Sequence, residues 1–186
     1  MHAPERELIE KIQAGDREAF RALYEAHGPT LLRFLQRLLG DPSAAEDALQ
    51  ETLLRVHGAR ETLDPERPLR PYLLRVARNV GIAAIRRQAI RKTQPVEGID
   101  PAADETSPPS AVVRDETLAQ VQAALARVPA GHRAALLLRH DQGLTLRAVA
   151  EALGVSERTA RNRLREATVH LARTLREQGY VSGGQA

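Results

Sequence analysis

The chain has 186 residues, a formal net charge of +3 and no cysteine. The lack of cysteine excludes disulfides and thiolate metal sites, and the length suffices for one large or two small domains with packed cores. No apolar run approaches the length of a membrane span, and the charged N-terminus is unlike a signal sequence. We therefore expect a soluble, cytoplasmic protein.

Residues 1–91 show helical hydrophobic periodicity throughout, and no stretch alternates for long enough to predict a strand. Asp16 is suited to cap the start of one helix, and Gly40 is suited to end it. The pattern predicts an all-α N-terminal domain of three to five helices. The chain is expected to break before the last of these helices at three prolines: Pro65, Pro68 and Pro71.

Two groups of polar side chains stand out in this N-terminal domain. Asp47, Gln50 and Glu51 are about one turn apart, which places them in a single acidic patch. The helix after the prolines carries a second, mainly basic group that suits contacts to nucleic-acid phosphates. Its members are Arg75, Arg78, Asn79, Arg86 and Arg87. An ordinary solvated helix face would explain either group if it stood alone.

Residues 92–112 form a proline-rich and mostly acidic segment that cannot continue a helix. Such a segment has too little apolar surface to order itself, so it is predicted to be a flexible linker. We therefore expect the domains on either side to move independently in the free protein. The short polar tail, residues 179–186, is predicted to be disordered.

The C-terminal domain, residues 113–178, is also predicted to be all-α. From Thr145 onward the sequence indicates two helices joined by a tight turn at Gly154, where glycine tolerates a positive φ. Ser156 is a suitable N-cap for the second helix. This is the layout of a helix-turn-helix DNA-binding unit.

The second helix of this unit carries long polar side chains on its outward face. Arginine bonds bidentately to guanine edges or phosphates, and asparagine pairs with the adenine edge. A solvated face would be the ordinary interpretation of an isolated arginine-rich helix, but the turn, the cap and the apolar stripe together favour DNA binding. The residues predicted to contact DNA are Ser156, Arg158, Thr159, Arg161, Asn162, Arg163 and Arg165.

Several short motifs follow one another in a fixed order along both domains. They are Ala45-Glu46-Asp47, Gln50-Glu51, Val76-Ala77-Arg78-Asn79, Arg86-Arg87, Gly143-Leu144-Thr145 and Ala150-Glu151-Ala152-Leu153-Gly154-Val155-Ser156. Each motif is weak alone, but their order and spacing resemble the extracytoplasmic-function (ECF) group of bacterial sigma factors. The resemblance extends over almost the whole chain.

The resemblance implies two helical domains on a flexible linker that bind core RNA polymerase and direct promoter-specific transcription initiation. In the family, the patch of Asp47, Gln50 and Glu51 meets the β′ coiled coil, and the polymerase β flap is a further partner. The resemblance further implies that the loop at about residues 62–71 captures a flipped base of the downstream, minus-ten promoter element, assisted by Asn79. The helix-turn-helix reads the upstream element, and an anti-sigma protein commonly restrains such factors.

Two other functions stay open. An autonomous helix-turn-helix regulator would need neither the acidic patch nor the N-terminal domain, and a sigma-like interaction protein would serve to titrate an anti-sigma factor. The six histidines are scattered, and no phosphate-binding glycine loop or nucleophile motif is present. We therefore expect no enzyme, no metal or other cofactor, and no small-molecule substrate.

Overall fold

The computed structural model describes the backbone of residues 3–93 and 112–178. Within these ranges the chain forms eight α-helices and no strand, which confirms the all-α prediction, and none of the eight helices is long and apolar enough to cross a membrane. The helices are α1 (Ala3–Gln13), α2 (Arg17–Leu39), α3 (Pro42–Gly58), α4 (Leu69–Thr93), α5 (Val112–Arg127), α6 (Ala130–Leu136), α7 (Leu146–Leu153) and α8 (Glu157–Glu177). A 3₁₀ turn at Arg60–Thr62 precedes the loop before α4, and a π turn at Leu137–Asp141 follows α6.

The ends of the early helices follow the capping chemistry of the sequence. Asp16 Oδ1 accepts hydrogen bonds from the backbone N–H groups of Glu18 and Ala19 at the start of α2. Helix α2 stops at Gly40, whose φ of 76° carries no steric penalty in glycine. Asp41 caps α3 in the same manner as Asp16 caps α2. The predictions for Asp16 and Gly40 are confirmed.

Prolines lie inside several of the helices. Pro29 is within α2, and Pro71 is the third residue of α4. The prediction that the chain breaks at Pro71 is therefore wrong. A proline in the first turn of a helix lacks only an N–H group that would have no acceptor within the helix, so α4 begins at Leu69, directly after Pro68.

Helices α1 to α4 form the N-terminal half, in which α2, α3 and α4 pack together. Phe34 and Leu38 of α2, Val56 of α3 and Leu73 of α4 are completely buried in this core. A Cβ atom added to Gly81 would stand 2.7 Å from Leu38 Cδ2. Glycine at this position therefore allows α4 to approach α2 closely.

Helices α5 to α8 form the C-terminal half, in which α6 and α7 pack against α8. Thr145 accepts a hydrogen bond from the backbone of the first turn of α7, and the helix ends at Gly154 with φ 65°. Ser156 then accepts a hydrogen bond from the N–H of Thr159 and begins α8. Helices α7 and α8 thus form the predicted helix-turn-helix, with its turn and cap at the predicted residues.

The two halves pack against each other, with α7 against α4 and the π turn against α2. Their buried apolar side chains belong to one continuous core. Arg37 Nη1 lies 2.7 Å from Asp141 Oδ1, and Arg70 Nη2 donates to the backbone oxygen of Gln142 at 2.9 Å. The free chain is therefore closed, with its C-terminal half seated on its N-terminal half.

This closed arrangement differs from the expectation that the halves move independently. That expectation came from the composition of residues 92–112, of which 92 and 93 lie in α4, 112 begins α5, and 94–111 lie outside the described residues, as does the tail at 179–186. Linker composition says nothing about the surfaces on either side of it. The hydrogen bond between Arg70 and Gln142 joins residues 72 positions apart, a contact that no local pattern encodes.

We expect Gly154→Ala to destabilise the protein by about 1 kcal/mol, because alanine has a steric penalty at positive φ. Gly58→Ala is the matched control, since an added Cβ there would meet nothing within 4 Å and the backbone φ is not positive. That substitution is expected to be neutral or to stabilise by up to about 1 kcal/mol. Urea unfolding of both variants measures the difference, and equal effects would show that the turn does not depend on glycine.

Candidate nucleic-acid and polymerase interfaces

The outward face of α8 is the most exposed group of predicted DNA-binding residues. Arg158, Arg161, Asn162 and Arg165 are all exposed to solvent. The opposite side of the helix is anchored by Ala160, which is completely buried, and the neighbouring apolar residues pack against the same core. The helix therefore holds four long polar side chains outward on a rigid base, although their contacts to DNA stay a prediction.

Ser156 and Thr159 together cap the start of α8. Ser156 Oγ accepts a hydrogen bond from the N–H of Thr159 at 3.2 Å, and it lies 2.9 Å from Thr159 Oγ1. The two hydroxyl groups thus satisfy one backbone donor and each other. Any contact that they make to DNA would be in addition to this cap.

Arg163 is separated from the other predicted DNA-binding residues of α8. Its side chain is half-buried and faces the N-terminal half. Together with Arg78 and Arg86 of α4 it lines a groove of about 290 Å³ between the halves, which we call the arginine groove. In the closed arrangement, two residues predicted to read the downstream element and one predicted to read the upstream element therefore share one site.

Helix α4 presents its five predicted DNA-binding residues to different surroundings. Arg75 borders a small hollow beside the loop before α4, Arg78 and Arg86 line the arginine groove, and Arg87 borders a separate groove on the side of α3. Asn79 is exposed and its Oδ1 accepts a hydrogen bond from Arg78 Nη1 at 2.8 Å. The sequence grouped these residues by helix, whereas the fold distributes them around the helix axis.

The positive charge of Arg78 is destabilised, mainly because its guanidinium group is partly buried. Loss of solvent around the half-buried guanidinium lowers the pKa of Arg78, and the positive charges of Arg163 and Arg86 lower this pKa further. Arg78 Nε is buried and has no hydrogen-bond partner. The closed protein therefore holds a partly desolvated cation beside two others.

The acidic patch lies on the exposed side of α3, as its spacing predicted. Asp47 and Gln50 are exposed, and Glu51 is partly buried, with its Oε1 2.8 Å from Arg55 Nε. Asp47 and Glu51 border a groove of about 370 Å³ between α3 and α4, which Arg87 borders from α4. This α3–α4 groove places the predicted polymerase contact next to one predicted DNA contact.

Leu54 extends the acidic patch by one turn, a feature that the sequence reasoning missed. It stands three residues after Glu51 and is 68% exposed. The sequence could have indicated this feature, because Leu54 occupies a position on the polar face of α3. An exposed leucine beside carboxylates gives this face an apolar contact as well as a charge.

The loop before α4 is partly covered by the C-terminal half. Arg67 Nε lies 3.2 Å from Asp64 Oδ2 within the loop, and Arg67 Nη1 lies 3.7 Å from Glu151 Oε1 of α7. Glu151 also borders the hollow of about 70 Å³ that Arg75 and Tyr72 line. A carboxylate from the helix-turn-helix thus stands beside the loop that the resemblance assigns to capture of a DNA base.

Comparison with known proteins gives consistent matches over both halves. Residues 23–90 match the family described as sigma-70 region 2, and residues 118–171 match sigma-70 region 4. SigM of Mycobacterium tuberculosis is 33% identical over 178 residues, which cover 96% of this chain and 86% of SigM. SigL of the same organism is 35% identical over 174 residues, which cover 90% of this chain and 95% of SigL. Both relatives are named ECF RNA polymerase sigma factors.

Solved structures share the fold of the chain. CnrH, in complex with the cytosolic domain of CnrY, matches with a TM-score of 0.70 and 23% identity over 93% of this chain and 97% of CnrH. RpoE of Bartonella quintana, in complex with the anti-sigma factor NepR, matches with a TM-score of 0.64 and 21% identity over 84% of this chain and 96% of RpoE.

A two-part helical fold with a helix-turn-helix in its second half defines a DNA-binding protein of the sigma-70 type. The chain belongs to the ECF RNA polymerase sigma factors. It accordingly directs transcription initiation, and the fold class and function predicted from the sequence are confirmed.

We expect Arg161→Ala or Arg165→Ala to cost about 1–3 kcal/mol in binding to the cognate upstream element and to flatten discrimination between elements. Both side chains are exposed near the start of α8, where base edges are closest in this type of unit. Arg176→Ala, in the last turn of α8, is the control and should cost little, and equally for all sequences. Affinities for single-base upstream variants at fixed salt measure this, and unchanged discrimination in both variants would contradict base reading by α8.

Proposed function

We propose that this protein docks on core RNA polymerase through the acidic patch of α3 and reads one promoter element with each half. The observation that carries this proposal is the exposure of two chemically different faces on a rigid scaffold. Asp47 and Gln50 stand exposed on α3, whereas Arg161 and Arg165 stand exposed on α8. A carboxylate face suits a basic protein surface, and an arginine face suits DNA.

For the polymerase contact we propose the β′ coiled coil as the partner of Asp47, Gln50 and Glu51, with the C-terminal half on the β flap. Charge complementarity would guide association, and the exposed Leu54 would add an apolar anchor within the same face. Glu51 would exchange its ion pair with Arg55 for a partner on the polymerase. A surface pair of this kind contributes little to folding, so its loss would be tolerated.

For the downstream element we propose that the segment at about residues 62–71, which runs into α4, and the rest of α4 contact the opened strand. Arg75 is exposed beside the loop before α4, and Asn79 is exposed one turn further along the helix. The two side chains would contact backbone phosphates and the captured base. The carboxylate of Glu151 would repel the phosphates of an approaching strand. Reading of the downstream element therefore requires α7 to leave α4.

The proposed cycle therefore begins with a closed free protein and continues with separation of its halves on the polymerase. Once both halves are tethered to one polymerase, each binds its DNA element at a high effective concentration, so neither has to bind tightly alone. We further propose that an anti-sigma factor restrains the free protein. CnrH and RpoE are described in complexes with CnrY and NepR, and this chain shares their fold over most of its length. We expect no catalytic activity, and action in the cytoplasm.

Run-off transcription with core polymerase and a genomic promoter pool tests this proposal. Adding the protein should produce new transcripts, and the double variant Asp47→Lys with Glu51→Lys should reduce them by roughly tenfold or more, because two attractive charges become repulsive. Glu25→Lys is the control, since Glu25 is an exposed acid of α2 outside the patch. It should retain most of the activity.

Other outcomes would favour the alternatives. A promoter footprint that forms without polymerase would indicate an autonomous regulator. Tight binding of a protein partner without any stimulation of transcription would indicate a titrating protein. Equal competition for core polymerase by the parent and the double variant would show that the acidic patch is not the docking surface.

A further inference from the structure

The arginine groove has an excess of positive charge that the protein does not neutralise. Arg78 and Arg86 of α4 line it from one side and Arg163 of α8 from the other, with His132 of α6 at the same site. None of the described residues that line the groove carries a carboxylate. Glu166 Oε2 lies 3.2 Å from His132 Nε2, and the Glu166 side chain is about half exposed.

The donors in this groove are not used up within the protein. Arg78 Nε, a donor, is buried without a hydrogen-bond partner. Arg86 and Arg163 form no ion pair among the described residues. Buried donors without acceptors are costly, and three adjacent guanidinium groups repel one another. An anion in the groove would remove both costs.

The remaining wall of the groove is apolar. Ile82 and Ile85 of α4 and Pro129 before α6 line it beside the arginines. Arginine forks match the oxygens of phosphate groups bidentately, and apolar walls lower the local dielectric and strengthen such bonds. The groove, of about 290 Å³, is open to solvent, so an anion can enter it.

We propose that the arginine groove is a binding site for a small phosphate-bearing anion that requires both halves of the closed protein. The site exists only while Arg163 of α8 faces Arg78 and Arg86 of α4. By linkage, an anion that binds only this arrangement stabilises it. The bound anion would also occupy three arginines that the sequence predicts to contact DNA, so it would oppose DNA binding. The proposed site concerns the free protein alone and does not depend on the proposed function.

Isothermal titration calorimetry of the full chain with tripolyphosphate, and separately with inorganic phosphate, tests the site. We expect binding that is weakened about tenfold by either Arg86→Gln or Arg163→Gln, as for the loss of one charge-assisted bond. The matched controls are Arg33→Gln and Arg147→Gln, which remove the same charge from exposed positions that neither line the groove nor belong to the predicted DNA-binding residues. These controls should bind tripolyphosphate as the parent does. Circular dichroism verifies that each variant is folded.

The parallel titrations distinguish a site that needs several linked phosphates from one that accepts a single phosphate, and binding of either anion with this pattern of variants supports the proposal. Equal weakening by the groove variants and their controls would overturn it, because general charge would then explain binding. Binding that is unchanged in the Arg163→Gln variant would also overturn the proposal, because the site would then not need both halves. Transcription assays do not enter this test, so its failure leaves the proposed function standing.

Discussion

Helix α4 is packed from more than one side, and the positions of all the proposed contact residues depend on this. Leu73, Leu74 and Ala77 are completely inaccessible to solvent. Helices α2 and α3 pack against α4 within the N-terminal half, and α7 packs against it from the C-terminal half. Every polar residue of α4 is therefore confined to the strips that remain between these partners, which is why its arginines face separate grooves.

Apolar packing, rather than charge, holds the closed arrangement together. The ion pair between Arg37 and Asp141 joins side chains that are 47% and 20% exposed, and the pair between Arg67 and Glu151 is longer and more exposed. Such pairs contribute at most about 1 kcal/mol each. Repulsion among the guanidinium groups of the arginine groove opposes the contribution of these ion pairs. The closed state is thus stable through the core that α4 and α7 share, and it is opposed by the charges that DNA or another anion would neutralise.

The elements within each half were predictable because their signals are local. Periodicity and the capping residues Asp16, Gly40 and Ser156 indicated where the helices begin and end, and the structure has them there. The prediction at Pro71 was wrong because the sequence alone does not distinguish a proline in the first turn of a helix from a proline that breaks a helix. The spacing of Asp47 and Glu51 predicted a single acidic patch, whereas the α3–α4 groove that both residues border was not predicted.

The packing between the halves was not predictable from the same signals. Residue composition between the halves indicated flexibility, whereas the contact surfaces are made by residues far apart in the chain. One indication was available in α7, where Val149, Ala150, Ala152 and Leu153 are all buried. On a helix of only eight residues, these side chains form an apolar surface that is too wide for α8 alone to cover. The part that α8 does not cover packs against α4. The location of Arg163 in the groove between the halves follows from this contact and from nothing local to α8.

The central claim is that the free protein is closed and that core polymerase opens it. Because the chain has no cysteine, single cysteines introduced at the exposed positions Glu25 of α2 and Arg173 of α8 can carry a donor and an acceptor dye. Resonance energy transfer between them should be high in the free protein and should fall when core polymerase is added. Transfer that is low in the free protein, or that stays unchanged on the polymerase, would contradict the account.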